Sequence, residues 1–397
     1  MATDVQRSGT GPSMQPQKPF SRTVEAIPPS GIRKFFDLAQ SMQGVISLGV
    51  GEPDFPTPWS AREAAIHALE HGATTYTSNS GLLALREAIV DDLADRYRVR
   101  YRAEDECLIT SGVSEGLDLT LRALLNPGDE VIVPEPCYVA YQPCVAFAGG
   151  IPVPVALDPG DAYRLDPAII GAAITENTKA ILFGSPSNPT GSAQSAGDLD
   201  ALAALAREHD LWLLSDEIYD RLTYHGVHTP VAASAPERTV TLGGFSKSYA
   251  MTGWRVGYVC APEPLAQLMH RIHQYTMLCA PHMSQIAALE AMRTAQDDVD
   301  EMVADYDRRR RLFSKGLDEL GLTCPVPGGA FYVFPSIAST GMTSEEFAEG
   351  LLTQEKVAVV PGNVFGPSGE GHVRCSYATA LPQLEQALER IARFIGS

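Results

Sequence analysis

The chain has 397 residues, enough for one large core or two to three smaller ones, with 45% hydrophobic and 20% charged residues, the balance of a soluble globular protein. A net charge of −18 repels phosphate backbones and anionic membrane surfaces, so neither is an expected partner. No apolar run reaches the ~18 residues of a membrane-spanning helix, and seven cysteines without a C-x-x-C spacing indicate neither a disulfide framework nor a metal centre.

Residues 1–20 are rich in Gly, Ser, Gln, Thr and Pro and lack an apolar stretch. They read as a mobile tail rather than a signal peptide, and a cytoplasmic setting is expected. "VISLGVGEPDFPTP" (45–58) is a short strand running into a Gly/Pro-rich loop. Ser60 reads as an N-cap, followed by Ala61, Ala64, Ala65, Ala68 and Leu69 at helical spacing. A second helix is expected from Leu82 to Tyr97. "CLIT" (107–110) predicts a strand, then the loop Ser111-Gly112-Val113 and a helix with Leu117, Leu121 and Leu124 on one face. "VIVPEP" (131–136) is the next strand. "AILFGSP" (180–186), "LWLLSDE" (211–217) and "TVTLGGF" (239–245) are continuous apolar runs, as in strands buried on both faces. A helix at 197–209 separates two of them, and "GYVCAP" (257–262) is a further strand. This alternation predicts an α/β fold whose mainly parallel sheet is sandwiched by helices.

Beyond Pro264 the pattern turns helical. Val299, Met302, Val303, Tyr306, Phe313, Leu317 and Leu320 mark one long helix, on which Arg308 to Arg311 read as a mostly solvated face. "AFYVFP" (330–335), "VAVVP" (357–361) and "VRCSYA" (373–378) are strands mixed with two helices, a smaller α+β unit closed by Leu381, Leu384, Leu388, Ile391 and Ile395. The expected organisation is a large domain over 61–300 and a small domain built from 21–60 and 321–397, joined by the helix 298–320.

In open parallel sheets, ligands bind beyond the carboxyl ends of the strands. Ser111-Gly112-Val113-Ser114, Tyr138, Asn188, Asp216 and Lys247 all fall at such ends. Singly, each has a plainer reading: a turn glycine, a core tyrosine, a tight Asn-Pro-Thr-Gly turn, a loop aspartate, a surface lysine. Their common location argues for a site. Gly112 precedes a helix start, where free N–H groups and the dipole favour an anion. Arg255 adds a forked cation suited to phosphate, and Ser246 a hydroxyl. Asp216 ends an apolar strand and calls for a cation in its path. Lys247 can form a Schiff base with an aldehyde once its pKa is lowered. Phosphate, ring cation and aldehyde together describe pyridoxal 5′-phosphate.

"GVGEPDF", "TYTSNSGLLALREAI", "SPSNPTG", "SDEIYD", "SKSYAMTGWRVGY" and "VRCSYA" occur in this order. In this set the chain resembles the fold-type I, pyridoxal-phosphate-dependent aminotransferases of class I/II over residues 30 to 390, in the aspartate/aromatic aminotransferase-like subgroup. The resemblance implies that Lys247 carries the cofactor's aldehyde and shuttles a proton between Cα and the cofactor. It places Asp216 on the ring nitrogen, Asn188 and Tyr219 on the ring's phenolic oxygen, and Tyr138 on the ring face. The amides of Val113 and Ser114, with Ser246 and Arg255, would hold the phosphate. Arg374 would grip the substrate α-carboxylate, and Gly51 would sit in a loop closing over the substrate. It also implies a homodimer in which Tyr76 is lent to the neighbour's phosphate. Some relatives carry a serine three positions before the lysine; here that position is Gly244, with Ser246 as a substitute.

The expected reaction moves the amino group of an L-amino acid to a 2-oxo acid, with 2-oxoglutarate as acceptor. Some aspartate enzymes of the subgroup place a lysine where this chain has Ser114, and "SGIRKFFDLA" (30–39) and "GLLALREAI" resemble the aromatic-preferring members more closely. The reading therefore favours aromatic or broad L-amino-acid specificity, with an aspartate aminotransferase as runner-up. A carbon–sulfur β-lyase would use the same lysine and aspartate, and a non-catalytic regulator that keeps the cofactor fold is the alternative of another class. No G-x-G-x-x-G follows a strand, which disfavours a dinucleotide-dependent oxidoreductase.

Overall fold

The computed structural model describes residues 18–29, 31 and 42–396. Most of the expected tail and of "SGIRKFFDLA" lies outside the described residues.

The described strands start with β1 (Ile46–Ser47). A seven-stranded sheet then uses β2 (Cys107–Thr110), β3 (Glu130–Glu135), β4 (Ile151–Ala156), β5 (Thr178–Gly184), β6 (Trp212–Asp216), β7 (Thr239–Gly244) and β8 (Gly257–Cys260), in the spatial order β2-β8-β7-β6-β5-β3-β4. β8 runs antiparallel to β2 and β7, and the other pairings are parallel. The helices around it are α1 (Trp59–Glu70), α2 (Leu83–Tyr97), α3 (Val113–Leu124), α4 (Tyr141–Phe147), α5 (Ala196–Glu208), α6 (Glu263–Thr276) and α7 (His282–Thr294).

The apolar runs explain the layering. Successive side chains alternate faces. Leu182, Leu214 and Val240 pack with Leu117, Leu121 and Leu124 of α3 on one face. Ile181, Phe183 and Leu213 pack with Leu199, Leu202 and Ala203 of α5 on the other. Burial on both sides leaves no room for polar alternation.

The last third is organised around α8 (Gln296–Glu319), α9 (Ser344–Glu355) and α10 (Leu381–Ile395). With them come β9 (Tyr332–Val333), β10 (Val357–Ala358), β11 (Val360–Pro361) and β12 (Val373–Ser376). β11-β12-β9 is an antiparallel sheet, and β1 pairs in parallel with β10. Leu48, Phe313, Phe331, Phe347, Val357, Leu384 and Ile391 share one core, so residues far apart in sequence close around β1.

Three expectations change. α1 starts at Trp59 with Pro58 at its N-cap position and no side-chain cap; the Ser60 hydroxyl instead accepts from Thr294 at 2.9 Å. Proline already sets the φ that a helix entry needs, so the cap hydroxyl is dispensable. β4, "IPVPVA", was not anticipated; its two prolines are tolerated because it is the sheet's edge. The arginine run is a solvated face only in part: Arg308 and Arg311 are exposed, whereas Arg309 and Arg310 are 6% and 2% exposed. Arg309 pairs with Asp54 and Asp305, while Arg310 pairs with Asp307 and donates to the Pro327 carbonyl. Asp305 and Asp307 lie one turn away on the same helix, while Asp54 and the Pro327 carbonyl come from outside it, and it is these outside partners that a helical charge pattern cannot reveal.

Among the described residues no helix is long and apolar enough to cross a membrane, and no group of three or more metal-ligating side chains gathers.

Candidate active site

The carboxyl ends of β2, β3, β5, β6 and β7 meet one edge of the large sheet, and the chain enters β8 from that same edge. A cavity of about 350 Å³ opens there. Gly51, Val113, Ser114, Tyr138, Asn188, Asp216, Tyr219, Ser246, Lys247, Arg255 and Arg374 all line it, so eleven positions singled out along the chain converge.

The anion seat is built first. α3 begins at Val113 with Gly112 as N-cap and no side-chain cap, which leaves its first amides free. Gly112 has φ 78°, and a Cβ there would lie 2.5 Å from Nη2 of Arg255. Only glycine lets the guanidinium come this close to the helix start. Arg255 is itself left-handed, at φ 53°, and its Nη1 donates to the Thr252 carbonyl at 3.0 Å. Gly244 has no space to spare either: a Cβ would stand 3.1 Å from Ile218 and from Val113. A serine there would crowd the strand end, and Ser246 is the hydroxyl that reaches the cavity.

Asp216 closes β6 and is 7% exposed. Its carboxylate accepts from the Tyr141 hydroxyl at 2.9 Å and from the Ile218 amide at 3.2 Å. Burial pushes its pKa up to about 6, against the pull of those two hydrogen bonds and of the Lys247 charge. Lys247 responds in the opposite direction. Burial lowers its amine to about 8; Glu52 opposes that shift, while Arg374 and Arg255 add to it. Its Nζ donates to the Gly51 carbonyl at 2.5 Å.

Arg374, on β12, is 3% exposed. It donates to Asn188 Oδ1 at 2.9 Å and to the Gly49 carbonyl at 2.6 Å. The guanidinium rests over Tyr332 at 4.5 Å and Phe365 at 4.9 Å. Its Nε is buried without a partner. The Tyr219 hydroxyl bonds that of Tyr332 at 2.9 Å, and burial raises its pKa well above the usual phenol value.

Tyr76 does not join this group. It is 79% exposed and lies outside the cavity. Tyr141, Tyr332, Thr252 and Gly184 line the cavity without having been anticipated. Tyr141 opens α4 and meets Tyr138 edge-to-face at 5.5 Å, but "CYVA" lies before the helix and does not mark its hydroxyl for Asp216. Tyr332 sits in an apolar strand pattern and carries no such mark.

These groups fit pyridoxal phosphate. Free helix amides beside Arg255 suit a phosphate, and the buried Asp216 carboxylate suits a protonated ring nitrogen. An amine at Lys247 whose pKa burial lowers suits an aldehyde, and the unpartnered Nε of Arg374 leaves donor capacity for a carboxylate.

A doubly wound sheet with a lysine, an aspartate and an anion seat at its carboxyl edge defines a class of enzyme, and the comparisons place the chain within it. Residues 43–391 match the family of class I and II aminotransferases, and the chain belongs to that family. It is a pyridoxal-phosphate-dependent aminotransferase. It is 56% identical to the putative aminotransferase YugH of Bacillus subtilis, over 95% of this chain and 98% of that protein. It is 44% identical to an aspartate aminotransferase of Pyrococcus abyssi, over 95% and 98%. Among solved structures, an aromatic aminotransferase from Pyrococcus horikoshii superposes with a TM-score of 0.87 at 42% identity, covering 91% of this chain and 98% of that one.

Proposed function

We propose that the enzyme transfers the amino group of an L-amino acid, aromatic or broad in side-chain preference, to 2-oxoglutarate. One observation carries this reading: the cavity holds three cations, Lys247, Arg255 and Arg374, each with its own partners. With Lys247 on the aldehyde, Arg255 on the phosphate and Arg374 on the α-carboxylate, no cation among the described lining residues is left for a side-chain carboxylate. A neutral side chain is then the better donor; the distal carboxylate of 2-oxoglutarate meets the same want of a cation, so its place as acceptor rests on the family resemblance and not on this count. The Pyrococcus abyssi relative supports aspartate as the second reading.

In this reading the residues divide the work. Bound pyridoxal phosphate supplies an aldehyde for the amino group and a ring that takes up electron density from Cα. The Val113 and Ser114 amides, Ser246 and Arg255 hold the phosphate at the end of α3, with Gly112 making room. Asp216 holds a proton at the ring nitrogen, and Tyr141 holds Asp216. Asn188 and Tyr219 donate to the phenolic oxygen, while Tyr138 covers a ring face. Arg374 orients the substrate through its α-carboxylate, and the loop with Gly51 limits water. The Lys247 amine would take the proton from Cα and deliver it to the cofactor's C4′.

The same reading includes a large domain over 61–300, a small one from 21–60 and 321–397, and a homodimer. Tyr76 serves the neighbour's phosphate. Its support is an exposed apolar patch: Tyr76, Tyr275, Met277 and Leu278 stand out, and Asn79 donates to the Leu278 carbonyl at 2.7 Å to join the two loops. The seven free thiols fit a reducing, cytoplasmic setting.

The test is turnover of phenylalanine, tyrosine and aspartate with 2-oxoglutarate. The two aromatic donors are expected to lead in kcat/KM. Much faster turnover of aspartate would transfer the assignment to the second reading, and a Lys247→Ala enzyme that still exchanged amino groups at the parental rate would remove both.

A further inference from the structure

β3 ends in Glu135, whose side chain is 2% exposed. One carboxylate oxygen accepts from the Gln142 amide and the other from the Ser368 hydroxyl, at 3.3 Å. Burial raises its pKa, the two neighbours pull it back, and among the described residues no cation acts on it. A buried carboxylate without a counter-ion is costly, so its location needs a reason.

The location is a seam. Gln142 belongs to α4 and follows Tyr141, which holds Asp216. Ser368 belongs to the turn that follows β11, and the same turn carries Phe365. The Cys137 amide donates to the Phe365 carbonyl at 3.0 Å, beside the Glu135 bond. Gly366, at φ 116°, lies against the carboxyl group, and a Cβ there would collide with it. Phe365 is 1% exposed, and its ring lies 4.9 Å from the Arg374 guanidinium. The turn is therefore fastened to the large sheet at Glu135 and supports Arg374 from beneath.

We propose that Glu135 is a positioning residue for Arg374: it clamps the Phe365–Ser368 turn onto the end of β3 and so fixes the aromatic bed on which the guanidinium rests. The carboxylate bite of Arg374 is then set by a residue that touches no substrate. The inference rests on the reading of Arg374 as receptor of the substrate carboxylate.

The experiment compares holoenzymes carrying Glu135→Ala, Glu135→Gln, Ser368→Ala and Arg374→Lys with the parent. It reads KM and kcat for phenylalanine, the dissociation constant of 3-phenylpropionate and that of pyridoxal phosphate. Glu135→Ala is expected to raise KM and the 3-phenylpropionate constant by about ten-fold, with kcat within about two-fold and cofactor affinity unchanged. Glu135→Gln keeps one acceptor oxygen and should recover to within about three-fold of the parent. Ser368→Ala removes one bond without opening a hole in the strand and should raise both constants by about two- to three-fold; it carries the test if Glu135→Ala does not fold. Parental constants in the Ser368 and foldable Glu135 variants, with Arg374→Lys strongly impaired, would overturn the proposal and leave the Arg374 assignment standing. So would a fall in kcat and melting temperature at constant KM. Parental constants in Arg374→Lys would overturn both.

Discussion

Arg309 holds Asp54 through both carboxylate oxygens, at 2.9 and 2.8 Å. Its guanidinium lies against the edge-to-face pair Phe55 and Tyr306, at 5.3 and 5.4 Å from the ring centroids. Asp54 ends the loop whose Gly49 and Gly51 carbonyls accept from Arg374 and Lys247. The long helix α8 therefore reaches two cations of the site through one loop. Arg309→Ala strands a carboxylate and should destabilise the protein by about 3 kcal/mol, read from denaturant unfolding. Arg309→Lys keeps the charge but not the two separate nitrogens that reach Asp54 and Asp305, and it should fold well but lose kcat/KM. Equal kcat/KM in Arg309→Lys and parent would separate the loop from the chemistry.

Tyr141→Phe removes the hydroxyl that donates to Asp216 at 2.9 Å while keeping the ring. A donor to a carboxylate favours its charged form, so the Asp216 pKa should climb. In the proposed function that weakens the hold on the ring nitrogen. A fall of about ten-fold in kcat is expected, with weaker cofactor binding read by fluorescence titration.

Stability of the cofactor-free protein should follow two opposed titrations. Asp216 is raised to about 6 from 3.8. The native state then holds more protons than the unfolded one between these values, and stability falls as pH climbs through that window. Lys247 is lowered to about 8 from 10.5. Here the unfolded state holds more protons, and stability rises with pH from about 8 to 10.5. Melting curves of the parent against Asp216→Asn and Lys247→Met across pH should show each slope vanish with its own residue.

Gly112→Ala meets two obstacles at once, a φ of 78° and the Arg255 guanidinium. Strain alone costs about 1–3 kcal/mol. Displacement of Arg255 should weaken cofactor binding by about ten-fold or more, measured by dialysis and absorbance. Free inorganic phosphate should compete with the cofactor less well in the variant than in the parent.

The elements that position this site were legible because their signals are local. β5, β6 and β7 are unbroken apolar runs, and a polar residue at the end of such a run has few places to go except a site edge. Asn188, Asp216 and Lys247 stand out for that reason. Tyr141 and Tyr332 do not, because a buried tyrosine looks the same in sequence whether its hydroxyl meets a catalytic carboxylate, another phenol or nothing. Arg309 and Arg310 were misread for a related cause. Their in-helix partners, Asp305 and Asp307, are legible at i,i+4 and i,i+3 spacing, but Asp54 and the Pro327 carbonyl, which bury the two side chains, lie far along the chain and leave no trace there. β4 was hidden by two prolines that only an edge strand accepts.

The reversed strand β8 has one last consequence. The chain departs from β7 at the cavity rim and comes straight back through β8, so the Lys247 amine and the Arg255 guanidinium ride on a single out-and-back excursion. Their separation is ruled by the length of that tether rather than by the docking of distant segments. Adding or removing one residue between Ser248 and Trp254 would pull the two charges out of step, even with every side chain of the cavity left in place.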